Sequence, residues 1–320
     1  MNLLSVEHIS KSYGTLKLFE DLSFGINQGQ KIGLVAKNGS GKTSLLRLLA
    51  QKDIPDDGII NYRKDIRVGF LSQEHGLNES LSVEESILSS KNFILKIINN
   101  YQKALKHPED QDAYQKAFEA MDANQAWDFE TQYQQILSKL KLDDLNKKVK
   151  TLSGGQKKRL SLAILLLDQP DLLILDEPTN HLDLEMIEWL EDYFKQSKMS
   201  FFMVTHDRYF LERVCNLIME LDEGQLYSYK GNYSYYLEKR DERIQQFEVQ
   251  TDKAKQLFKK ELEWMRRQPK ARTTKSKSRI DDFAEIKSKA HQRRNSHEIQ
   301  LEINMQRLGT KIVEFHKVSK

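Results

Sequence analysis

The sequence predicts an α/β fold in which helices cover the faces of a mostly parallel β-sheet. Short apolar runs alternate with helical stretches, and four of these runs read "LLSVEHIS", "QKIGLVA", "DLLILD" and "SFFMVTHD". Apolar runs of this length, bounded by turn residues, are typical of buried strands. Strands that alternate with helices favour parallel pairing, because each helix returns the chain to the edge of the sheet where the previous strand began.

Two stretches interrupt this alternation with helical patterns. Residues from about 80 to 150 predict helices, and Ser82 followed three positions later by Glu85 indicates a capping box at the start of the first helix. We expect these residues to form a helical subdomain inserted into the α/β fold. After Tyr236 a long charged stretch again predicts a helix, which Pro269 ends.

A second helix is predicted beyond that proline, so this segment is expected to form a helical hairpin. Ser278 and Asp281 can cap the second helix, which runs to about Ile303. The tip of the hairpin is basic, with no acidic residue among its seven cations: Arg266, Arg267, Lys270, Arg272, Lys275, Lys277 and Arg279. A cluster of this kind predicts contact with nucleic-acid phosphates. The alternative is a solvated loop whose charge only keeps the chain soluble.

The basic character of the protein belongs to this one segment. The net charge is +3, yet residues 239–300 hold 18 Lys and Arg against 10 Asp and Glu. Cys215 is the single cysteine of the sequence, which excludes an intrachain disulfide. No apolar run approaches the ~18 residues that a membrane span needs. These features are typical of a cytoplasmic protein without a membrane partner, and we expect that location.

The stretch "AKNGSGKT" has the pattern of a phosphate-binding loop, because it follows a predicted strand and opens a predicted helix. Backbone N–H groups at such a helix start cradle phosphate oxygens, Lys42 would reach the β- and γ-phosphates of ATP, and Thr43 would ligate Mg²⁺. Its first residue, Ala36, stands where glycine is usual, and would cost about 1 kcal/mol if the backbone there needed a positive φ. The predicted ATP-binding residues are Ala36, Lys37, Asn38, Gly39, Ser40, Gly41, Lys42, Thr43 and Ser44.

Two carboxylates follow the apolar strand "LLIL". Asp176 at the end of a strand can hold Mg²⁺, and Glu177 is then placed to orient or deprotonate an attacking water. The alternative is a strand that ends in two solvated acids. The nearby phosphate loop favours the first interpretation.

A five-residue stretch identifies the family that the sequence resembles. Leu152, Ser153, Gly154, Gly155 and Gln156 match every position of the signature of ATP-binding cassettes. The resemblance implies a P-loop ABC ATPase cassette, with a mostly parallel sheet, an antiparallel β part and a helical subdomain, that uses ATP and Mg²⁺. It also implies further site residues: Gln73 as a catalytic residue and metal ligand, His206 as the catalytic switch histidine, Asp183 of the D-loop, and Tyr13 stacked on adenine.

Several stretches resemble one branch of that family, the ABC-F proteins, and within it the Uup-type subgroup. These are "LDEPTNHLD", "THDRYFLERVC", "YSYKGNYSYYLEKR" and the linker text "ELEWMRRQPKARTTKSKSRIDDF". Members carry two cassettes on one chain, joined by a helical linker, and act on the ribosome, where the linker reaches tRNA and rRNA. The resemblance implies a cassette at residues 1–232, with its insertion at about 80–150, and a basic hairpin linker at 233–306. Residues 307–320 would be the first strand of a truncated second cassette.

This organisation predicts a nucleotide-driven switch on the ribosome. ATP would close two cassettes head to tail, with the signature of each facing the phosphate loop of the other. We therefore expect ATPase activity in the two-cassette protein, and ATP binding with weak or no hydrolysis in this chain alone, unless it forms a head-to-tail homodimer. A DNA-structure-binding ATPase of Uup type is the alternative, since phosphate contacts serve either nucleic acid. The motor subunit of a transporter is a further alternative, which leaves the basic hairpin without a role.

Overall fold

A computed structural model describes residues 1–72, 76–90, 92–106 and 109–266, together with residues 282–283, 286–288 and 290. The chain divides into two compact units, Met1–Asp241 and Glu242–Lys320. The division falls within a helix, and the domain boundaries that the sequence suggests stay predictions. None of the described helices combines the length and the apolar character that crossing a bilayer requires.

The secondary structure alternates as the sequence predicts. The strands are β1 (Asn2–Tyr13), β2 (Leu16–Asn27), β3 (Lys31–Ala36), β4 (Asp57–Tyr62), β5 (Val68–Leu71), β6 (Leu172–Asp176), β7 (Ser200–Val204), β8 (Leu217–Asp222) and β9 (Gln225–Lys230). The helices are α1 (Lys42–Leu49), α2 (Val83–Leu88), α3 (Phe93–Lys106), α4 (Gln111–Ala123), α5 (Ala126–Lys139), α6 (Gly154–Asp168), α7 (Leu184–Gln196), α8 (Arg208–Val214) and α9 (Tyr233–Arg266).

The strands form two sheets, and the larger one confirms the predicted fold class. Its order is β5-β6-β7-β3-β8-β9, and every neighbouring pair is parallel except β8 with β9. The smaller sheet, β2-β1-β4, is antiparallel. Every residue of β6 and β7 is buried, as expected for central parallel strands covered on both faces.

Hydrophobic residues form two core clusters, one on each face of the larger sheet, and alternate side chains of β6 belong to one cluster or the other. Leu172 and Ile174 pack with α1 and the smaller sheet, whereas Leu173 and Leu175 pack with α6, α7 and the inserted helices. Successive side chains of a strand point to opposite faces, so one short strand supports two cores. This packing fixes the position of the end of β6, where Asp176 is the last residue of the strand and Glu177 follows it.

The inserted helical segment is present as predicted. Ser82 is the N-cap of α2, and its hydroxyl and the Glu85 side chain form the reciprocal capping box. Helices α3, α4 and α5 pack together, with Trp127 in edge contact with Tyr101. The chain then returns to the sheet through α6.

The base of α9 is anchored within the first unit. Tyr236 is fully buried, and its hydroxyl lies 3.3 Å from Glu220 on β8, which the Tyr229 hydroxyl also contacts. In the second unit, Phe258 of α9 stacks on Phe283, with ring centroids 5.4 Å apart. The predicted caps of the second helix, at positions 278 and 281, lie outside the described residues.

We expect Leu173→Ala to lower the free energy of unfolding by about 2–5 kcal/mol, because it leaves a cavity in a strand that cannot collapse around it. Leu173 is 0% exposed in β6. The matched control is Leu184→Ala at the start of α7, where the leucine is 71% exposed, so stability should change little. Urea titrations of both variants followed by circular dichroism provide the comparison, and equal midpoints would contradict the packing described for β6.

Candidate nucleotide site

The phosphate loop follows β3 and leads into α1. Gly39 and Gly41 have φ of 80° and 93°, in the left-handed region that favours glycine. A Cβ atom at Gly41 would also meet the Leu18 Cβ at 3.0 Å. Gly41 is the N-cap of α1 and has no side chain that could accept hydrogen bonds from the first N–H groups of the helix. Those N–H groups are therefore available to an anion.

The polar side chains of the loop are partly satisfied within it. The Lys42 ammonium donates to the Ala36 carbonyl and to the Asn38 side chain, both at 3.2 Å. The Ser40 hydroxyl donates to the Lys37 carbonyl at 2.8 Å, and Lys37 lies 3.8 Å from Asp222. Lys42 therefore folds back over its own loop in this structure, and Ser44 lies half-buried in the first turn of α1.

Ala36 is unstrained. It is the last residue of β3 and pairs with Leu221 of β8, and it is not among the residues with positive φ. The loop turns into left-handed backbone only at Gly39. The conditional cost of an alanine at this position therefore does not arise.

Asp176 and Glu177 lie at the carboxyl end of β6, both buried. The Thr43 hydroxyl is near enough to the Asp176 carboxylate to favour its charged form, so the two residues predicted to hold Mg²⁺ lie side by side. Burial raises the pKa of the Asp176 carboxyl, while the neighbouring Thr43 hydroxyl and the Lys158 charge lower it. Among the described residues, Asp176 Oδ2 has no hydrogen-bond partner although it is buried.

That unpartnered oxygen fits a magnesium ion. Mg²⁺ is held in proteins by one or two carboxylate or hydroxyl oxygens together with substrate phosphates and water. Thr43 and Asp176 supply such oxygens beside the phosphate loop. Gln73, the third predicted ligand, lies outside the described residues.

Glu177 and His206 come together although they are distant in sequence. The Glu177 carboxylate accepts the His206 backbone N–H at 3.2 Å, and its other oxygen lies 3.5 Å from His206 Nε2. The Glu177 N–H donates in turn to the Val204 carbonyl at 2.8 Å. Glu177 has a φ of 51°, which is uncommon for a non-glycine residue and is found more often at functional sites. The Glu177 side chain is 6% exposed, whereas the His206 side chain is 71% exposed.

The signature residues begin α6 with a second capping box. The Ser153 hydroxyl accepts the Gln156 N–H at 3.2 Å, and the Gln156 side chain accepts the Ser153 N–H at 2.9 Å. Leu152 is buried, whereas Ser153 and Gly154 are exposed, and a Cβ atom at Gly154 would meet nothing within 4 Å. Gly155 lies close to His181. The structure therefore presents this helix start to the surface.

The remaining predicted residues have definite local roles. Asp183 is the N-cap of α7 and forms an ion pair with Lys141 at 2.7 Å, which lowers the pKa of the Asp183 carboxyl. Tyr13 is 50% exposed at the end of β1, and its hydroxyl donates to Asp53. Arg266 is exposed at the end of α9. The other six basic residues of the predicted tip lie outside the described residues.

Sequence reasoning missed Lys158, which is buried at this site. Its ammonium donates to the Asp176 carbonyl at 3.0 Å and to the Ser72 carbonyl at 3.2 Å. In the sequence, Lys158 cannot be distinguished from the neighbouring Lys157, whose side chain forms an ion pair with Glu79. Its spacing to Leu162 and Leu165 was a usable signal, because positions i, i+4 and i+7 share one face of a helix.

Family comparison agrees with this geometry. The family model described as ABC transporter matches residues 19–180, and a second model with the same description matches residues 219–301. The first match alone spans the phosphate loop, the signature and the two carboxylates. The chain belongs to the ABC transporter family of ATP-binding cassettes.

Relatives of this cassette protein match almost its whole length. It is 43% identical over 325 residues to the uncharacterized ABC transporter ATP-binding protein YfmR of Bacillus subtilis, covering 99% of this chain and 52% of that protein. It is 35% identical over 311 residues to the energy-dependent translational throttle protein EttA of Escherichia coli K12, covering 95% of this chain and 56% of the relative. The chain thus spans about half the length of the curated relatives it matches.

Solved structures show the same fold. An ATP-binding subunit of an ABC transporter matches with a TM-score of 0.52 at 21% identity, over 71% of this chain and 90% of that chain. An ATP-binding cassette dimer in a post-hydrolysis state with ADP and phosphate matches with a TM-score of 0.50 at 21% identity, over 71% and 98% of the two chains. At this identity the likeness establishes the cassette fold and no more.

We expect Ala36→Gly to lower the free energy of unfolding by about 0.5–1 kcal/mol and to leave the affinity for ATP unchanged, because the strand backbone of Ala36 needs no glycine. Gly41→Ala is the contrasting variant, since it places a Cβ on left-handed backbone against Leu18. It should weaken ATP binding. Fluorescence titration with mant-ATP and urea unfolding measure the two effects, and tighter ATP binding by Ala36→Gly would contradict the strand conformation.

Proposed function

We propose that this chain is one cassette, with the basic linker that follows it, of a two-cassette protein that hydrolyses ATP to ADP and phosphate. The observation that carries the proposal is the cluster at the carboxyl end of β6. Asp176 and Glu177 are buried there, one against Thr43 of the phosphate loop and the other against His206. A buried carboxylate pair beside a phosphate loop favours phosphoryl transfer to water over mere solvation of acids.

Lys42 and the loop amides would bind the triphosphate. To reach the β- and γ-phosphates, the Lys42 ammonium exchanges its contacts with Ala36 and Asn38 for phosphate oxygens. Thr43 and Asp176 would hold Mg²⁺, which supplies positive charge for the phosphate oxygens. Tyr13, half-exposed and held by Asp53, offers a face on which adenine can stack.

Glu177 would act as the general base. One of its oxygens is fixed by the His206 N–H, so the other can accept a proton from a water that attacks the γ-phosphorus. The bond between the γ-phosphorus and the bridging oxygen breaks, and ADP leaves with inorganic phosphate. The exposed His206 ring would exchange its contact with Glu177 for the γ-phosphate, the role that the family resemblance implies.

The exposed signature supports a site completed by a second cassette. Ser153 and Gly154 face solvent at the start of α6, where the positive end of the helix dipole suits a phosphate. In the proposed closed state they contact the ATP that the partner cassette binds, and the signature of the partner cassette contacts the ATP bound by this one. The length of the relatives, about twice that of this chain, accommodates a second cassette.

The proposed target is the ribosome, with the basic linker on RNA of the tRNA or rRNA class. Two observations support it: relatives matching almost the whole chain are named translational throttle proteins, and the excess of basic over acidic residues lies in the linker segment. Phosphate contacts by Lys and Arg give strong, salt-sensitive binding to any nucleic acid, so DNA is the alternative outcome of the tests below. The Uup-type assignment remains a prediction.

In the two-cassette protein, we expect Glu177→Gln to slow ATP hydrolysis by about 10²-fold or more, because the amide keeps the shape of the base without its function. The variant should remain ATP-bound and stay on ribosomes. Co-sedimentation with ribosomes in the presence of ATP is the measurement. Departure from ribosomes as readily as the wild type would contradict the switch.

A second variant isolates the linker. Alanine replacement of the seven basic residues in the Glu177→Gln background should abolish co-sedimentation while ATP binding persists. The residues are Arg266, Arg267, Lys270, Arg272, Lys275, Lys277 and Arg279. A parallel competition between ribosomes and branched DNA at physiological salt identifies the preferred target, and preference for the DNA would replace the ribosome in this proposal.

The 320-residue chain alone should bind ATP and hydrolyse it weakly or not at all. In the proposed closed arrangement its signature and its phosphate loop serve two different ATP sites and do not face each other. Head-to-tail pairing of two copies could restore activity, and the rate per molecule would then rise with protein concentration. A substantial rate that stays constant as the monomer is diluted would overturn the two-cassette mechanism.

A further inference from the structure

Lys158 is a buried cation beside the nucleotide site. It lies in the second turn of α6, shortly after the signature, and is 3% exposed. No ion pair within 4.0 Å joins it to a carboxylate in the part of the chain that the structure describes, although Asp176 and Glu177 act on its charge through space. Burying an ammonium group without a close counter-ion is costly, and an apolar side chain would fill this place in the core at lower cost.

The hydrogen bonds of Lys158 join three elements. Leu71 at the end of β5 pairs with Leu175 of β6. The residues that follow these two, Ser72 and Asp176, both accept hydrogen bonds from the Lys158 ammonium with their carbonyls. The lysine therefore ties the start of α6 to the carboxyl ends of two neighbouring strands. In sequence, Ser72 directly precedes Gln73, the third predicted magnesium ligand.

The backbone that Lys158 fixes belongs to the residue whose carboxylate faces Thr43. The Asp176 side chain lies beside the Thr43 hydroxyl, and the Asp176 carbonyl accepts the Lys158 hydrogen bond. A shift of that carbonyl would turn the whole residue. Residues that orient a metal ligand from outside the coordination shell affect metal affinity strongly, even though they never touch the metal.

We propose that Lys158 is a positioning residue of the nucleotide site, which holds the ends of β5 and β6 so that Asp176 faces Thr43 in the geometry that magnesium requires. It acts on the metal ligands and not on ATP directly. The inference rests on the proposed binding of ATP with Mg²⁺, and it is independent of the proposed ribosomal target.

The test measures how magnesium strengthens nucleotide binding. Mant-ATP is titrated into the 320-residue chain, first in EDTA and then at increasing Mg²⁺. For Lys158→Met we expect the Mg²⁺ concentration that gives half of the tightening to rise by about tenfold or more. Affinity in EDTA should stay the same as in the wild type. The midpoint of thermal unfolding should hold or rise, because a side chain of similar length replaces a buried cation.

Lys157→Met is the matched control, since it makes the same change one residue earlier on the same helix. Lys157 is ion-paired with Glu79 at 2.6 Å and contacts no predicted site residue through that pair. It should behave like the wild type in EDTA and in Mg²⁺. An equal shift in both variants would mean that charge near the signature, and not the contacts of Lys158, sets the magnesium response.

The remaining outcomes separate this inference from the proposed function. An unchanged magnesium response in Lys158→Met overturns the positioning role alone. A parallel loss of affinity in EDTA and in Mg²⁺, with a lower unfolding midpoint, also overturns it, because that pattern indicates a general structural role. If mant-ATP binding by the wild type does not respond to Mg²⁺, the proposed function fails and the inference fails with it.

Discussion

The nucleotide site depends above all on the parallel pairing of β6, β7 and β3. Parallel strands end at the same edge of a sheet, so residues that are distant in sequence meet there. Asp176 is the last residue of β6, His206 lies just after β7, and the phosphate loop follows β3. Because β6 is packed on both faces, this edge is held by two cores at once. Small displacements of the side chains at this edge are therefore resisted from both sides.

The same edge concentrates charge in a place from which water is largely excluded. The carboxylates of Asp176 and Glu177 and the ammonium group of Lys158 are buried close together in space at the end of β6. Their charges are only partly offset by the protein itself, and one oxygen of Asp176 has no protein partner among the described residues. A divalent cation would offset the carboxylate charge at this edge.

The rest of the chain connects this edge to surfaces that face outward. The signature opens α6 at the surface, while the second turn of the same helix reaches the end of β6 through Lys158. On the other side of the sheet, β8 pairs with β3 and carries Glu220, which holds the tyrosines at the base of α9. The strand before the phosphate loop, β3, is thus the direct neighbour of the strand that anchors the base of α9.

The sequence by itself determined the α/β class, the phosphate loop, the two carboxylates and the capping box of α2. Each of these is a local pattern, decided within a turn of helix or one strand, so neighbouring residues suffice to predict it. Only the tertiary structure decided that Glu177 meets His206, that Tyr13 is held by Asp53, and that Lys158 supports Asp176. It also decided that Ala36 is unstrained. Such contacts depend on the register between strands and helices that are far apart in the chain, and no short stretch of sequence contains that register.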